Sequence, residues 1–295
     1  MSAEANPLMV VSRRSRRRKM IGHIMEGICT AAALLAVAVL AIVIISVARK
    51  GLPALSVDFF TKSPAPVFQT GGGIANAIVG TIIMTAMATL IAVPMGILIA
   101  IFNVEFAAPQ VAETVRLALN VLAGVPTIVI GIFIFGLLVV GNGQSAIAAS
   151  IGLSIVMVPL VARASEEVLA LVPSSLREAG MALGATRART VITVTLPTAI
   201  GGIVTATIVA VARAAGETAP LLFTSSIFAN TVTTNVHQAM ASIPLTIYVD
   251  SESPSVADQQ TAWAAALVLM VGVLVAGIIG RALSLRTRRQ IERAR

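Results

Sequence analysis

Four charged residues set in otherwise apolar sequence carry the first chemical signal: Arg163 with Glu166, and Arg213 with Glu217. Spacings of three and four put the members of each pair on one helix face. Ionisable groups at membrane depth are costly and mark either a pathway or a buried pair. Arginine offers planar, permanently charged donors that suit a tetrahedral oxyanion. A neighbouring carboxylate would hold the guanidinium in place and limit affinity, so that the ion can leave. The plainer reading of each pair is a self-neutralising ion pair that reaches for the nearest interface. Gly216 and Pro220 bracket the second pair, and a broken helix there would free backbone groups to line a cavity. Span length sets the pairs toward opposite ends of a membrane, so they read as two stations rather than one site.

A second signal is polar. Between residues 173 and 197 the chain reads Pro173, Ser174-Ser175, Leu176, Arg177, Glu178-Ala179-Gly180, then Gly184, then Val194-x-Leu196-Pro197. Pro173 closes one helical region. Ser175 followed by Glu178 has capping-box spacing, and Gly184-Ala185 ends the short helix. Leu176, Ala179, Met181, Ala182 and Leu183 give it an apolar side. Gly180 reads as a hinge and a point of close approach, and Pro197 as an early position in the next span, where a missing amide donor costs little. The plain interpretation is a surface helix between two spans; the functional one is a dock for a soluble partner.

The elements that must hold these residues are membrane spans. With mean hydropathy +0.95 and charged residues at only 12%, the chain lacks the polar shell of a soluble fold. Six stretches approach the roughly 20 apolar residues needed to cross a bilayer. They are Gly27–Val47, Ile74–Phe102, Leu117–Val140, Ser145–Ala162, Val191–Ala212 and Gln259–Gly280. Their length predicts an all-α membrane protein of six transmembrane helices. Residues 1–22 read as a flexible basic tail, 23–49 as the first transmembrane helix and 50–73 as an irregular extracytoplasmic loop. Residues 74–285 read as a core of five spans with the short helix at about 174–186, and 286–295 as a second basic tail. Lys and Arg gather in the two tails, which predicts both termini in the cytoplasm. The stretch Glu217–Asp258 carries acids but no Lys or Arg, as an external connection should. Arg49, Lys50 and Lys62 run against that rule in the first external loop.

A net charge of +8 does not argue for nucleic acid, because twelve of the 21 basic residues lie in the tails or, as Arg281, just before the second, where anionic lipid and topology account for them. None of the three lysines (Lys19, Lys50, Lys62) follows a glycine, so no phosphate cradle ending in Gly-Lys-Ser/Thr exists. His23 and His237 fall on opposite sides of this topology, which predicts no metal site. Cys29 is the only cysteine and reads as a small buried residue of the first span.

The polar stretch resembles the loop by which ATP-binding-cassette (ABC) importers grip their ATPases: Glu-Ala-Ala, three residues, Gly, nine residues, Ile-x-Leu-Pro, with Gly180 and Val194 here as small departures. Further strings are similar to phosphate-uptake permeases of the PstA type. They are Gly72–Thr81, Asn120–Pro126, Arg213–Phe223 and Met240–Tyr248, and the similarity runs from about residue 23 to 285. The resemblance implies the type I fold of ABC importer transmembrane domains and residence in the inner membrane. It implies a second permease subunit, two cytoplasmic ATPase subunits and an extracytoplasmic phosphate-binding protein as partners. It implies no cofactor on this chain, with ATP used by the partner. Glu178, Ala179, Gly180, Gly184, Val194, Leu196 and Pro197 would serve coupling. Arg163, Glu166 and Arg213 match family positions associated with phosphate passage, and Glu217 joins them on the physical argument above. The alternatives are a permease for another oxyanion, an ion-coupled transporter working alone, and a membrane scaffold.

Overall fold

The computed structural model describes residues 13–64, 72–226 and 228–293, and among these the chain is helical with one isolated antiparallel bridge, Pro64 to Gly72. Residues 1–49 form one compact unit and residues 50–295 another.

The first unit is occupied by α1 (Arg13–Gly51). Residues 13–22, expected as a flexible tail, are helical and run unbroken into the first apolar stretch. Arg and Lys are good helix formers, and neither Pro nor Gly interrupts the sequence between Arg13 and Ile21. Cys29, expected as a buried residue, is left exposed on α1. Residues 1–12 lie outside the described residues.

The second unit opens with a short turn, Leu52–Ala54, and α2 (Val57–Thr61), which Ser56 caps by accepting from the Phe59 amide. The middle of the expected irregular loop, residues 65–71, falls outside the described residues. The unit is then built on α3 (Ala75–Ile101) and α6 (Ala146–Ala170), which make its most extensive packing. The reason is legible along α3. Gly80, Met84, Ala88, Ala92, Gly96 and Ala100 recur every four residues and are all buried. Such a ridge of small side chains lets two helix backbones approach closely. A Cβ on Gly96 would come within 2.8 Å of the Val161 side chain on α6.

The third apolar stretch does not form one straight span. It folds as α4 (Pro109–Gly124) and α5 (Thr127–Ile134), bent by 90° at Val125-Pro126. Proline disfavours helix at the preceding residue and supplies no amide. Among the described residues five helices are therefore long and apolar enough to cross a membrane, or six if the bent pair counts as one. After α6 come α7 (Ser174–Ala182), α8 (Arg187–Thr190) and α9 (Leu196–Ala215). A π turn, Val191–Thr195, joins the last two into one path. Pro197 is thus not at a span start, since helix runs for ten residues before it. The wider turn accommodates the proline without the clash an α-helix would impose.

The connection between the last two long helices is not a surface loop throughout. It contains α10 (Ala219–Thr224) and α11 (Ile243–Glu252), followed by α12 (Val256–Arg293). Leu221, Met240 and Leu245 enter the same apolar cluster as Met84, Leu153 and Met157. Its backbone is tied down as well: Ile243 donates to Thr81 Oγ1 at 2.8 Å, and the Ser225 hydroxyl bonds the Met240 carbonyl. Residues 286–293, expected as a tail, continue α12 as helix.

Candidate functional site

The polar stretch folds into α7, a short helix at the end of the bundle where α3 and α6 stop and the α8–α9 path begins. No residue of α7 is buried. Leu176 packs against Leu169, Val172, Ala199 and Ile203, while Glu178, Ala179, Met181 and Leu183 face outward, Leu183 at 90% exposure. Helix α7 projects rather than sinks. Its N-cap is Pro173 without a side-chain cap, so the expected capping box at Ser175 and Glu178 does not form. Proline fixes the entry dihedral, the first turn starts at Ser174, and Glu178 comes after that turn.

The stop is sharper than the start. Gly184 takes φ +83°, its amide bonds the Met181 carbonyl at 2.9 Å, and the Ala185 amide bonds the Gly180 carbonyl. That is a Schellman motif, which needs a left-handed residue just past the helix end. Gly180 lies within α7, which runs unbroken from Ser174 to Ala182. It allows close approach: a Cβ there would stand 2.9 Å from the Thr190 methyl. Val194 lies half-buried in the π turn; Leu196 is partly buried in the cluster beneath α7, and Pro197 is exposed.

Beneath α7 lies an ion pair that the sequence did not disclose. Arg177 donates through Nε to Glu105 Oε1 at 2.8 Å, and its two terminal nitrogens donate to the carbonyls of Val172 and Leu169 at 2.9 Å each. Glu105 is buried in the π turn Phe102–Phe106 that ends α3. Arg187 of α8 stands over the Phe106 ring next to it. Glu105 sits at the rim of an apolar stretch and reads in sequence as an ordinary span end.

Farther along α6, Arg163 and Glu166 do share a face, but they do not pair. Glu166 is buried and accepts from Arg116 Nε of α4 at 2.5 Å. Arg163 is exposed and lines a cavity of about 410 Å³ with Arg116, Asn120, Glu166, Glu167 and Asn103. The Asn103 amide is buried with no hydrogen-bond partner among the described residues, although buried polar groups are nearly always satisfied. The expectation of a self-contained pair fails because α4 brings a third charge. Arg116 immediately precedes the third apolar stretch, and no local spacing links it to residue 166.

The other pair forms as expected. Arg213 Nε lies 3.8 Å from Glu217 Oε1, with the arginine side chain 63% exposed and the glutamate 15%. The helix breaks between Ala215 and Ala219, as Gly216 and Pro220 foretell. Arg213 stands 26 residues along the helical path from Arg187, on the order of 39 Å at 1.5 Å per residue. Arg187 and Arg213 therefore lie toward opposite ends of the α8–α9 path.

Residues 92–289 match the family described as binding-protein-dependent transport system inner membrane component. The chain is 40% identical over 239 residues to a probable phosphate transport system permease protein PstA of Methanocaldococcus jannaschii, covering 81% of this chain and 84% of that one. It is 38% identical over 242 residues to a phosphate transport system permease protein PstA of Yersinia pestis, covering 81% of each. Among solved structures it is similar to a chain of a bacterial alginate ABC transporter (TM-score 0.65, 14% identity, 93% of this chain and 98% of that one). It is also similar to one of the MetNI methionine ABC transporter in an inward-facing conformation (TM-score 0.58, 20% identity, 73% and 94%). At such identities the likeness is one of fold: the helical transmembrane architecture of type I ABC importers.

Proposed function

Because the chain belongs to the binding-protein-dependent transport system inner membrane components, we propose that it is the permease subunit of an ATP-driven importer of inorganic phosphate. The observation that carries this reading is α7. Its outer side, with Glu178, Met181 and Leu183, is open to a partner while its inner side is bolted to the ends of two long helices. A lever that only decorated the surface would need no such root.

The chain supplies the pathway and borrows its engine. A cytoplasmic ATPase dimer docks on α7, with Glu178, Ala179, Gly180 and Gly184 setting the lever's shape and Val194, Leu196 and Pro197 leading into α9. Both termini then lie on the ATPase side. ATP is used by that partner, and this chain binds no cofactor. A second permease completes the pathway around the core at residues 74–285. An extracytoplasmic phosphate-binding protein delivers the ion to the end that carries Arg213.

The phosphate reading rests on the relatives' names and on the chemistry of the two arginine sites. Arg213, loosely tied to Glu217, offers donors to an arriving tetrahedral anion. Arg163 and the unsatisfied Asn103 amide offer a second station toward the ATPase side, beside an Arg116 already held by Glu166. Carboxylates at both stations keep affinity low enough for release.

Uptake of labelled phosphate in cells carrying Arg213→Ala tests the substrate, and loss of influx is expected. If phosphate entry persists while another oxyanion's falls, the substrate is wrong. Crosslinking from Gly184→Cys tests the engine: it should capture an ATPase subunit, and a chain that never captures one is no ABC permease.

A further inference from the structure

Two features at the root of α7 deepen the reading above: Glu105, a buried carboxylate at the end of α3, and Arg177, the one residue of α7 whose charge turns inward. We propose that Arg177 is the positioning residue that makes α7, the end of α6 and the end of α3 a single rigid body. Motion imposed on α7 then reaches α3 instead of being absorbed by the loop. This rests on the reading of α7 as the dock for an ATPase.

The geometry assigns each part of the guanidinium a task. Its Nε takes Glu105, and its terminal nitrogens take the Val172 and Leu169 carbonyls. The last carbonyls of a helix lack helical partners; Leu169 lies in the last turn of α6, where its carbonyl also accepts from the Val172 amide, and Val172 lies two residues past the helix. One planar fork therefore caps one helix, neutralises the buried acid of a second and belongs to a third. The Glu105 side chain is 4% exposed and that of Arg177 20%, so neither charge is screened as a surface pair would be. Three donors in fixed directions leave α7 little freedom to rotate about its root. Leu176 adds apolar packing beside the fork, and Gly180 seats α7 against Thr190 of the next segment. Lysine could not replace the arginine, because a single ammonium on a flexible stem cannot hold three acceptors in this plane.

The test uses the whole transporter in proteoliposomes, with its ATPase, second permease, binding protein and inorganic phosphate. Variants Arg177→Lys and Glu105→Gln keep size and keep a polar partner at each position. Both are expected to assemble and to hydrolyse ATP near the wild-type rate. Phosphate moved per ATP should fall about tenfold, the size of an ordinary coupling free energy between sites. An unchanged ratio in both variants, whatever the rates, overturns the proposal; so does failure of both to assemble, which would make the pair a folding contact only.

A second readout does not depend on the cargo. Spin labels at Ser175→Cys and Leu98→Cys, in a Cys29→Ser background, report the distance from α7 to α3. That distance should stay fixed with and without nucleotide in the otherwise native chain and broaden in Arg177→Lys. A native distance that shifts with nucleotide sinks the rigid link. A native complex that imports no phosphate but keeps this distance fixed would sink the substrate reading and leave the clamp standing.

Discussion

The two ends of the helical block each carry an arginine bonded to a glutamate, yet the pairs are built for different work. Arg177 and Glu105 lie 2.8 Å apart, come from separate elements and are both largely buried. Arg213 and Glu217 are 3.8 Å apart on neighbouring turns, and the arginine is mostly exposed. Breaking a buried pair strands an uncompensated charge and costs on the order of 3–5 kcal/mol, whereas an exposed pair is worth about 0–1 kcal/mol. On the proposed function, stiffness would sit where a push is transmitted, and slack where an ion is caught and released.

The comparison can be broken by removing each arginine in turn. Arg177→Ala should have the largest effect on stability, about 3 kcal/mol or more, because buried Glu105 loses its charged partner while the Val172 and Leu169 carbonyls each lose a donor. Thermal unfolding of the detergent-purified chain measures it; a loss below 1 kcal/mol would mean that Glu105 finds water or another cation. Next comes Gly184→Val, which forces a β-branched residue into φ +83° at the stop of α7. It should cost roughly 1–2 kcal/mol, and exchange of the Ala185 amide should speed up as its bond to Gly180 loosens. Gly184→Asn, better suited to that dihedral, should cost less.

Arg213→Ala sharpens the contrast from the other side. Stability should change by no more than about 1 kcal/mol, as for an exposed pair, even as phosphate uptake collapses. A large stability loss there would mean that the outer pair is structural after all. The last test concerns Asp250 on α11 and is read as a pH slope rather than as a loss at one pH. Burial, and then the neighbouring Asp258, raise its carboxyl to about 7. A raised acid binds its proton more tightly in the fold than in the unfolded chain, so stability falls as pH climbs from the ordinary carboxylate range toward 7. Asp250→Asn should flatten that slope, and melting curves at pH 5 and pH 8 would show it. Equal slopes in both proteins would mean that Asp250 is solvated.

Much of the scaffold was legible because its signals are local. A run of twenty apolar residues announces a long helix wherever it falls, and the Gly216–Pro220 break needs only the chemistry of those two residues. Gly184 is just as local, since few residues but glycine fit φ +83° without strain. The bend at Pro126 was legible in principle, but hydropathy averages over it and saw one span. Arg163 and Glu166 were found as charges and mispaired, because helix spacing lists neighbours on one element only. The true partner of Glu166, Arg116, lies 50 residues away.

By itself, then, the sequence determined that this is a helical membrane chain with a short exposed helix between two long ones and arginines set in apolar surroundings. Apolar length, glycine dihedrals and residue charge act within a few turns of the backbone. Only the tertiary structure decided which carboxylate each arginine holds and that the root of α7 is locked to α3. Those outcomes depend on which helices are brought side by side, here by the small-residue ridge of α3 against α6. An ion pair forms between charges that packing brings together, however far apart they stand in the chain.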